Sequence, residues 1–266
     1  MGNYINERSI VGLMNKNGII CTDYPLSFYK VKNKSKIVVC GKRLSLEEES
    51  KYKQVNYMYL DIDPKIKGSN KMTQVISEIN SKEMFHSLPG KKYREIRETV
   101  HKYLRMKNNN QLRIEELNKG NYQDVINMID EWEYSEKGGL KYMWQSHPGI
   151  DKNVINKYVN EELNNCFALI FYIDNKCVGY SCCEQGLFNA NNQEIKYLTR
   201  KSLNNYRNLT LFIDWYTFYN LHLQIGFDNN FKINWGCSSK GVLDYKVKKW
   251  PVYSLEDKWF LTIKNT

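Results

Sequence analysis

Along the first quarter of the chain, apolar residues come in short runs separated by turn-forming residues. "SIVGLM" and "GIICTDY" flank "NKNG", and "LSFYKV" and "SKIVVCG" flank "KNK". Both arrangements are hairpin signals. "VNYMYLDID" adds a strand, so residues 1–63 are expected to be mostly β. The period then lengthens. In "GKKYREIRETVHKYLRMK", Tyr93, Ile96, Val100 and Leu104 share one face of a helix, and Arg94, Arg97, His101 and Arg105 share another. Glu98 and Lys102 stand one turn apart as a supporting pair. "GNYQDVINMIDEWEYS" gathers Val125, Ile126, Ile129 and Trp132. "DKNVINKYVNEEL" gathers Ile155, Tyr158 and Val159, with Asp151 placed to cap its N-terminus.

The pattern then returns to β. "CFALIFYIDNKCVGYSCCEQGLF" is two apolar runs joined by "DNK", an antiparallel hairpin, and "QEIKYLTRKS" alternates as a third strand. "NLTLFIDWYTFYNLHLQIGF" is apolar nearly all round, which predicts a deeply buried helix. "FKINWGCSS" is a strand, "GVLDYKVKKW" a short helix and "SLEDKWFLTI" a closing strand. The order beyond residue 110 is helix, helix, three strands, helix, strand, helix, strand. It predicts an α/β architecture, a mixed sheet with helices packed on it. The polar stretch "RMKNNNQ" marks a boundary near residue 110.

Composition narrows the classes. The 266 residues suit one large domain or two small fused ones, and 42% hydrophobic residues supply a core. A net charge of +10 favours anionic partners: nucleic acid, a nucleotide cofactor or anionic lipid. Seven cysteines without a C-x-x-C pair indicate neither a zinc site nor a disulfide framework, and fit a reducing cytoplasm. No metal site is expected. No run of about 18 apolar residues predicts a transmembrane segment. The phosphate-binding, dinucleotide-binding, zinc-protease and serine-hydrolase signatures are all missing, and the four histidines are scattered.

Two stretches carry a resemblance. "GKKYREIRETVHKY" at 90–103 looks like the basic helix preceding the second half of phosphatidylglycerol lysyltransferase C-terminal-type domains. "INWGCSSKGVLDYKVKKWPVYSLEDKWFL" at 233–261 looks like their closing segment. The chain thus resembles the GNAT superfamily of acyltransferases over about residues 20–264. The resemblance implies a tandem GNAT-like (acyl-CoA N-acyltransferase) fold, with a degenerate half at 1–109 and a half at 110–266 carrying the cleft. It implies transfer of an acyl or aminoacyl group from acyl-CoA or aminoacyl-tRNA, as donor substrate rather than bound cofactor, to an amine or hydroxyl. Two other readings stay open: a catalytically inactive module that binds nucleic acid, and a phage-type enzyme acylating a modified DNA base.

The chemistry of acyl transfer in such a fold, together with the position and charge of individual residues, suggests roles. Strands 193–201 and 231–237 are expected to splay and hold the donor arm, with the Leu198 backbone N–H polarising its carbonyl. Glu184 is the candidate base, and Tyr197 the candidate acid for the leaving group. Cys237 is a candidate nucleophile, though a thiol at a strand end is more often inert. The turn "TRKSLNNYRNLT" offers Arg200, Lys201, Arg207 and the helix cap Asn208 for phosphates, joined by Lys240 and Lys246. It has no glycine, which favours a donor bulkier than CoA, such as charged tRNA. Arg94, Arg97, His101 and Arg105 would follow phosphates of nucleic acid or lipid headgroups. Trp132 and Trp144, beside "EKGGLKY", would close over the acceptor.

Overall fold

The computed structural model describes residues 20–21, 27–30, 36–40, 45–51, 53–60, 64–134, 148–163, 166–185, 194–225, 230–238 and 240–264. These divide into two compact units. One unites the N-terminal segment to Ser77 with Asn234–Thr266; the other is Glu78–Ile233.

In the first unit, strands β1 (Ile20–Cys21), β2 (Ser27–Lys30), β3 (Lys36–Cys40), β4 (Gln54–Leu60), β11 (Val252–Lys264) and β5 (Asn70–Asn80, to Ser77) lie in that order. The expected β2–β3 hairpin is present as an antiparallel pair. β3 and β4 are parallel, and β11 pairs antiparallel with both β4 and β5, so the sheet is mixed. The chain's last strand therefore sits between two strands from its first third, which local periodicity cannot announce. Among the described residues two helices belong here, α1 (Leu46–Ser50) and α6 (Lys240–Lys249). The first carries a reciprocal Ser45–Glu48 capping box. Neither α1 nor β5 was expected from the pattern, and the proposed hairpin around "NKNG" lies largely outside the described residues.

The second unit holds strands β6 (Leu112–Glu116), β7 (Cys166–Ile173), β8 (Lys176–Gln185) and β9 (Glu194–Ser202), each antiparallel to the next. The β7–β8 turn is "DNK" as expected. Asp174 and Asn175 both take positive φ, 50° and 62°, the left-handed pair a tight two-residue hairpin requires. Among the described residues four α-helices flank the strands: α2 (Arg94–Asn108), α3 (Tyr122–Tyr134), α4 (Pro148–Val159) and α5 (Leu209–Ile225). β10 (Asn230–Ser238) begins here. The predicted apolar faces are buried: Ile96 and Val100 of α2, Val125 and Ile129 of α3, Ile155 and Val159 of α4. As its composition foretold, α5 is buried nearly all round. Gly179 on β8 is what lets α5 approach: a Cβ there would meet Ile213 Cδ1 at 2.5 Å and the Lys201 carbonyl at 3.0 Å.

The boundary expected near residue 110 falls inside this second unit. "RMKNNNQ" ends α2 and turns tightly at Asn110 (φ 58°) into the unforeseen strand β6. Its polarity reflects an exposed turn, since polar composition marks surface whether or not a domain ends there. Among the described residues, no helix is long and apolar enough to cross a membrane.

Candidate active site

The site is organised by an irregularity in β9. Cys182 of β8 stands opposite Thr199, but the next residue, Cys183, stands opposite Tyr197. Leu198 is the extra residue of a β-bulge, outside the ladder to β8. It is half-buried between buried neighbours. In a regular strand, residues two apart share a face. Here the bulge re-phases the strand. Tyr197 packs edge-on to Phe218 of α5, whereas Thr199 donates to Asp151 of α4.

Beyond the bulge, alternation resumes with each face served by its own carboxylate. On the α5 side, Nε of Arg200 lies 3.0 Å from Oδ1 of Asp214, a carboxylate with no solvent exposure. The guanidinium also sits 5.3 Å from the centre of the Tyr197 ring. Ser202 and Thr210 share a hydrogen bond at 2.6 Å, fastening the end of β9 to the first turn of α5. On the α4 side, Lys201 is buried in an ion pair with Asp151, and its ammonium lies 4.5 Å over the Trp132 ring. Tyr180 and Thr199 hydrogen-bond at 2.9 Å beneath it. Asp151 thus does not cap α4; it points inward as the anchor of β9.

These arrangements settle where the expected site residues lie. Arg200 and Lys201, expected at donor phosphates, have carboxylate partners inside the protein. Arg207 is exposed just before α5, its carbonyl held by the Tyr103 hydroxyl at 2.9 Å. Asn208 takes positive φ (60°), and its carbonyl accepts the Phe212 N–H at 3.2 Å, as a cap's does. Its side-chain amide turns instead toward Glu95 and Thr99 of α2, at 3.4 Å each. In the first unit, Lys246 is buried and donates to the Trp235 carbonyl at 2.7 Å. The Lys240 side chain, the Cys237 side chain and Trp144 with its glycine loop lie outside the described residues.

Glu184 and Tyr197 are not on one face. Tyr197 is opposite Cys183 on the α5 side, and Glu184 is opposite Lys196 on the other, both of these buried. Burial pushes the Tyr197 hydroxyl well above its ordinary pKa, and the Asp214 charge raises it further while Arg200 opposes. The phenol therefore holds its proton. Burial likewise raises the thiols of Cys182 and Cys183.

On α2, Arg94 is exposed and pairs with Glu98 at 2.8 Å. Arg97 turns inward and donates to the carbonyls of Leu88 and Gly90. His101 and Arg105 are exposed, the guanidinium donating to the His101 carbonyl at 3.3 Å. The expected cationic face is thus split between surface charges and one inward clamp. Asp214 is the residue sequence reasoning passed over, and Asp151 was read as a helix cap rather than as the partner of Lys201. Asp214 had left a signal: one carboxylate in an otherwise apolar helix demands a buried partner.

No family model matches the chain, and no curated protein matches it in sequence. Solved structures do match in fold. L-PGS from Bacillus licheniformis superposes with a TM-score of 0.58 at 12% identity, covering 99% of this chain and 91% of that one. The C-terminal domain of a putative lysylphosphatidylglycerol synthetase from Agrobacterium fabrum gives 0.53 at 10% identity, covering 96% and 86%. A tandem GNAT protein from the clavulanic acid biosynthesis pathway gives 0.50 at 7% identity, covering 90% and 78%. The chain therefore has the tandem GNAT fold, in the form seen in lysylphosphatidylglycerol synthetase C-terminal domains. Identities this low make the likeness one of fold.

Proposed function

We propose that the protein is an acyl- or aminoacyltransferase whose reacting carbonyl sits at the β9 bulge. The observation that carries this reading is the extra peptide at Leu198. The bulge takes Leu198 out of the ladder to β8, and a backbone N–H turned out of that ladder can donate to an incoming oxygen. The residues on either side are anchored to α5 and α4 by buried pairs, so the peptide is held in place before a substrate arrives. Donors fixed in advance stabilise developing charge without reorganising.

In the proposed step, an amine or hydroxyl acceptor attacks the donor's carbonyl carbon. The carbonyl oxygen takes the negative charge and accepts from the Leu198 N–H. Glu184 receives the proton lost by the nucleophile. Collapse of the intermediate breaks the bond to the ribose oxygen of an aminoacyl-tRNA, or to the sulfur of a CoA thioester, and the leaving atom takes up the proton held by Glu184, which returns to the carboxylate form. Tyr197 takes no acid role here, because it lies on the face opposite Glu184 with its proton firmly held. Donor phosphates fall to the exposed Arg207 and the first turn of α5, since Arg200 and Lys201 serve internal carboxylates. A loop without glycine, occupied by its own hydrogen bonds, favours the charged tRNA over CoA.

The test pairs binding with turnover. Thermal unfolding is followed with acetyl-CoA and with bulk aminoacyl-tRNA, and transfer of labelled acyl groups to amine and hydroxyl acceptors is measured. One donor is expected to raise the unfolding temperature, an effect reduced in Arg207→Ala. Glu184→Gln is expected to keep that binding and lower turnover by about 10²–10⁴-fold. If neither donor stabilises the protein, the reading fails. A second reading, a nucleic-acid-binding module without catalysis, draws on the exposed Arg94, His101 and Arg105 of α2. It predicts that salt-sensitive DNA or RNA binding disappears in Arg94→Ala/Arg105→Ala, with no transfer by the parent protein.

A further inference from the structure

Away from β9, the segment before α2 forms a cavity of about 280 Å³ with α2 and α5. Its rim is one π-helical turn, Glu83–Ser87, closed by the Leu88 N–H donating to the Glu83 carbonyl at 2.6 Å. Such turns are rare and concentrate at functional sites. Leu88 then takes φ of 42°, in the left-handed region, an unfavourable conformation for a leucine that the surrounding structure must hold. Arg97 does so by donating to the Leu88 carbonyl through Nη1. Its other bond, to Gly90, also uses Nη1, so Nη2 and Nε stand outside both.

The lining has two chemical characters. Phe85, Trp215 and Tyr219 give aromatic walls; Trp215 and Tyr219 are nearly parallel, 8° apart with centroids at 5.1 Å. Phe85 is backed by His222 and Phe231, at 4.9 and 5.8 Å, which fix the plane of its ring. Trp215 is fixed by its indole N–H donating to the Met84 carbonyl at 3.0 Å. Arg97, His86 and His101 supply the nitrogen donors, and no carboxylate is among the lining residues. An apolar cavity of about 150 Å³ takes up benzene, so this one has room for a two-ring system or a substituted single ring.

We propose that this cavity binds a small planar aromatic carboxylate, with its ring against Trp215 and Tyr219 and its carboxylate at Arg97. A flat ring exploits preset aromatic planes, and an anion is the species that a cationic lining without acids accepts at least cost. The site is independent of the transfer chemistry at β9, sharing none of its proposed reacting groups.

The test uses the full chain with indole-3-carboxylate and neutral indole as probes, followed by ligand-detected NMR and calorimetry. Saturable binding of one indole-3-carboxylate per chain is expected, with a dissociation constant of about 1 mM or tighter. Indole should bind at least about tenfold more weakly, the share of one charge-assisted hydrogen bond. Leu104→Trp, which fills the cavity, and Tyr219→Ala, which removes a wall, should each weaken the carboxylate by about tenfold or more. Circular dichroism checks the fold of both, and either alone suffices if the other does not fold. The proposal is overturned if binding does not saturate, if indole binds as tightly as its carboxylate, or if a folded variant binds as the parent does.

Discussion

The two faces of β9 beyond Leu198 use the same device with different surroundings. On the α5 face, Arg200 meets Asp214, and the arginine side chain keeps 15% of its surface in contact with solvent. On the α4 face, Lys201 meets Asp151, and both side chains are at least nine-tenths buried, beneath Trp132. Each pair ties one helix to the strand just past the bulge. Buried ion pairs contribute little net stability compared with apolar packing, but breaking one strands a charge. Their value here is positional: with opposite faces pinned, the strand cannot slip to erase its extra residue.

The strongest way to break this comparison is to insert one alanine between Thr199 and Arg200. The added residue would send Arg200 and Lys201 to each other's faces, away from their carboxylates. A cost above about 4–5 kcal/mol is expected, read as loss of the cooperative unfolding transition. An insertion variant as stable as the parent would show that the register is not pinned. Next come single removals. Asp151→Ala and Asp214→Ala should each cost about 3–5 kcal/mol in urea unfolding, with Asp151→Ala the worse, because Lys201 has less access to water than Arg200. Asp151→Leu/Lys201→Met should recover most of the loss; an equal or greater loss would deny the pair its buried character. Gly179→Ala tests the approach of α5 to β8. Ile213 can swing away but the Lys201 carbonyl cannot, so about 1–3 kcal/mol is expected from the unfolding midpoint.

The thiols give a pH-dependent test. Burial raises Cys166 and Cys177 from 9.0 to about 12, and Cys182 and Cys183 also rise. Groups held protonated in the folded state favour it fully below pH 9.0, and that contribution is lost progressively as pH rises from there toward about 12. Unfolding midpoints should fall over that window, and native-state alkylation of these cysteines near pH 8 should lag far behind alkylation in urea. The smallest effect is expected at the surface. Hydrogen bonding to Arg94 holds Glu98 below its ordinary pKa, yet both are fully exposed, so Arg94→Ala should leave the unfolding midpoint unchanged within error.

Much of this was legible in the chain. The 3.6-residue period of α2, the all-round apolar composition of α5 and the "DNK" turn each determine local structure, because helix and hairpin contacts join residues close in sequence. Even the buried pair at Asp214 had a sign, a carboxylate in an apolar helix. Short β6 and the capped α1 left too few residues for a period to register.

Other features came only with the tertiary structure. The lysine and arginine of "TRKS" read as a phosphate clamp, because charge in a turn is ordinarily solvated; their partners lie 50 and 14 residues away in sequence. Insertion of β11 between β4 and β5 joins the ends of the chain, and long-range pairing has no local period. The bulge is a relation between strands: Leu198 is extra only relative to Cys182 and Cys183. Sequence by itself settled the longer periodic helices and strands and which of their faces turn inward, since burial follows periodicity, but not α1, β5 or β6. Which charges are spent inside the protein, and which peptide leaves the ladder, depended on neighbours that only folding brings together.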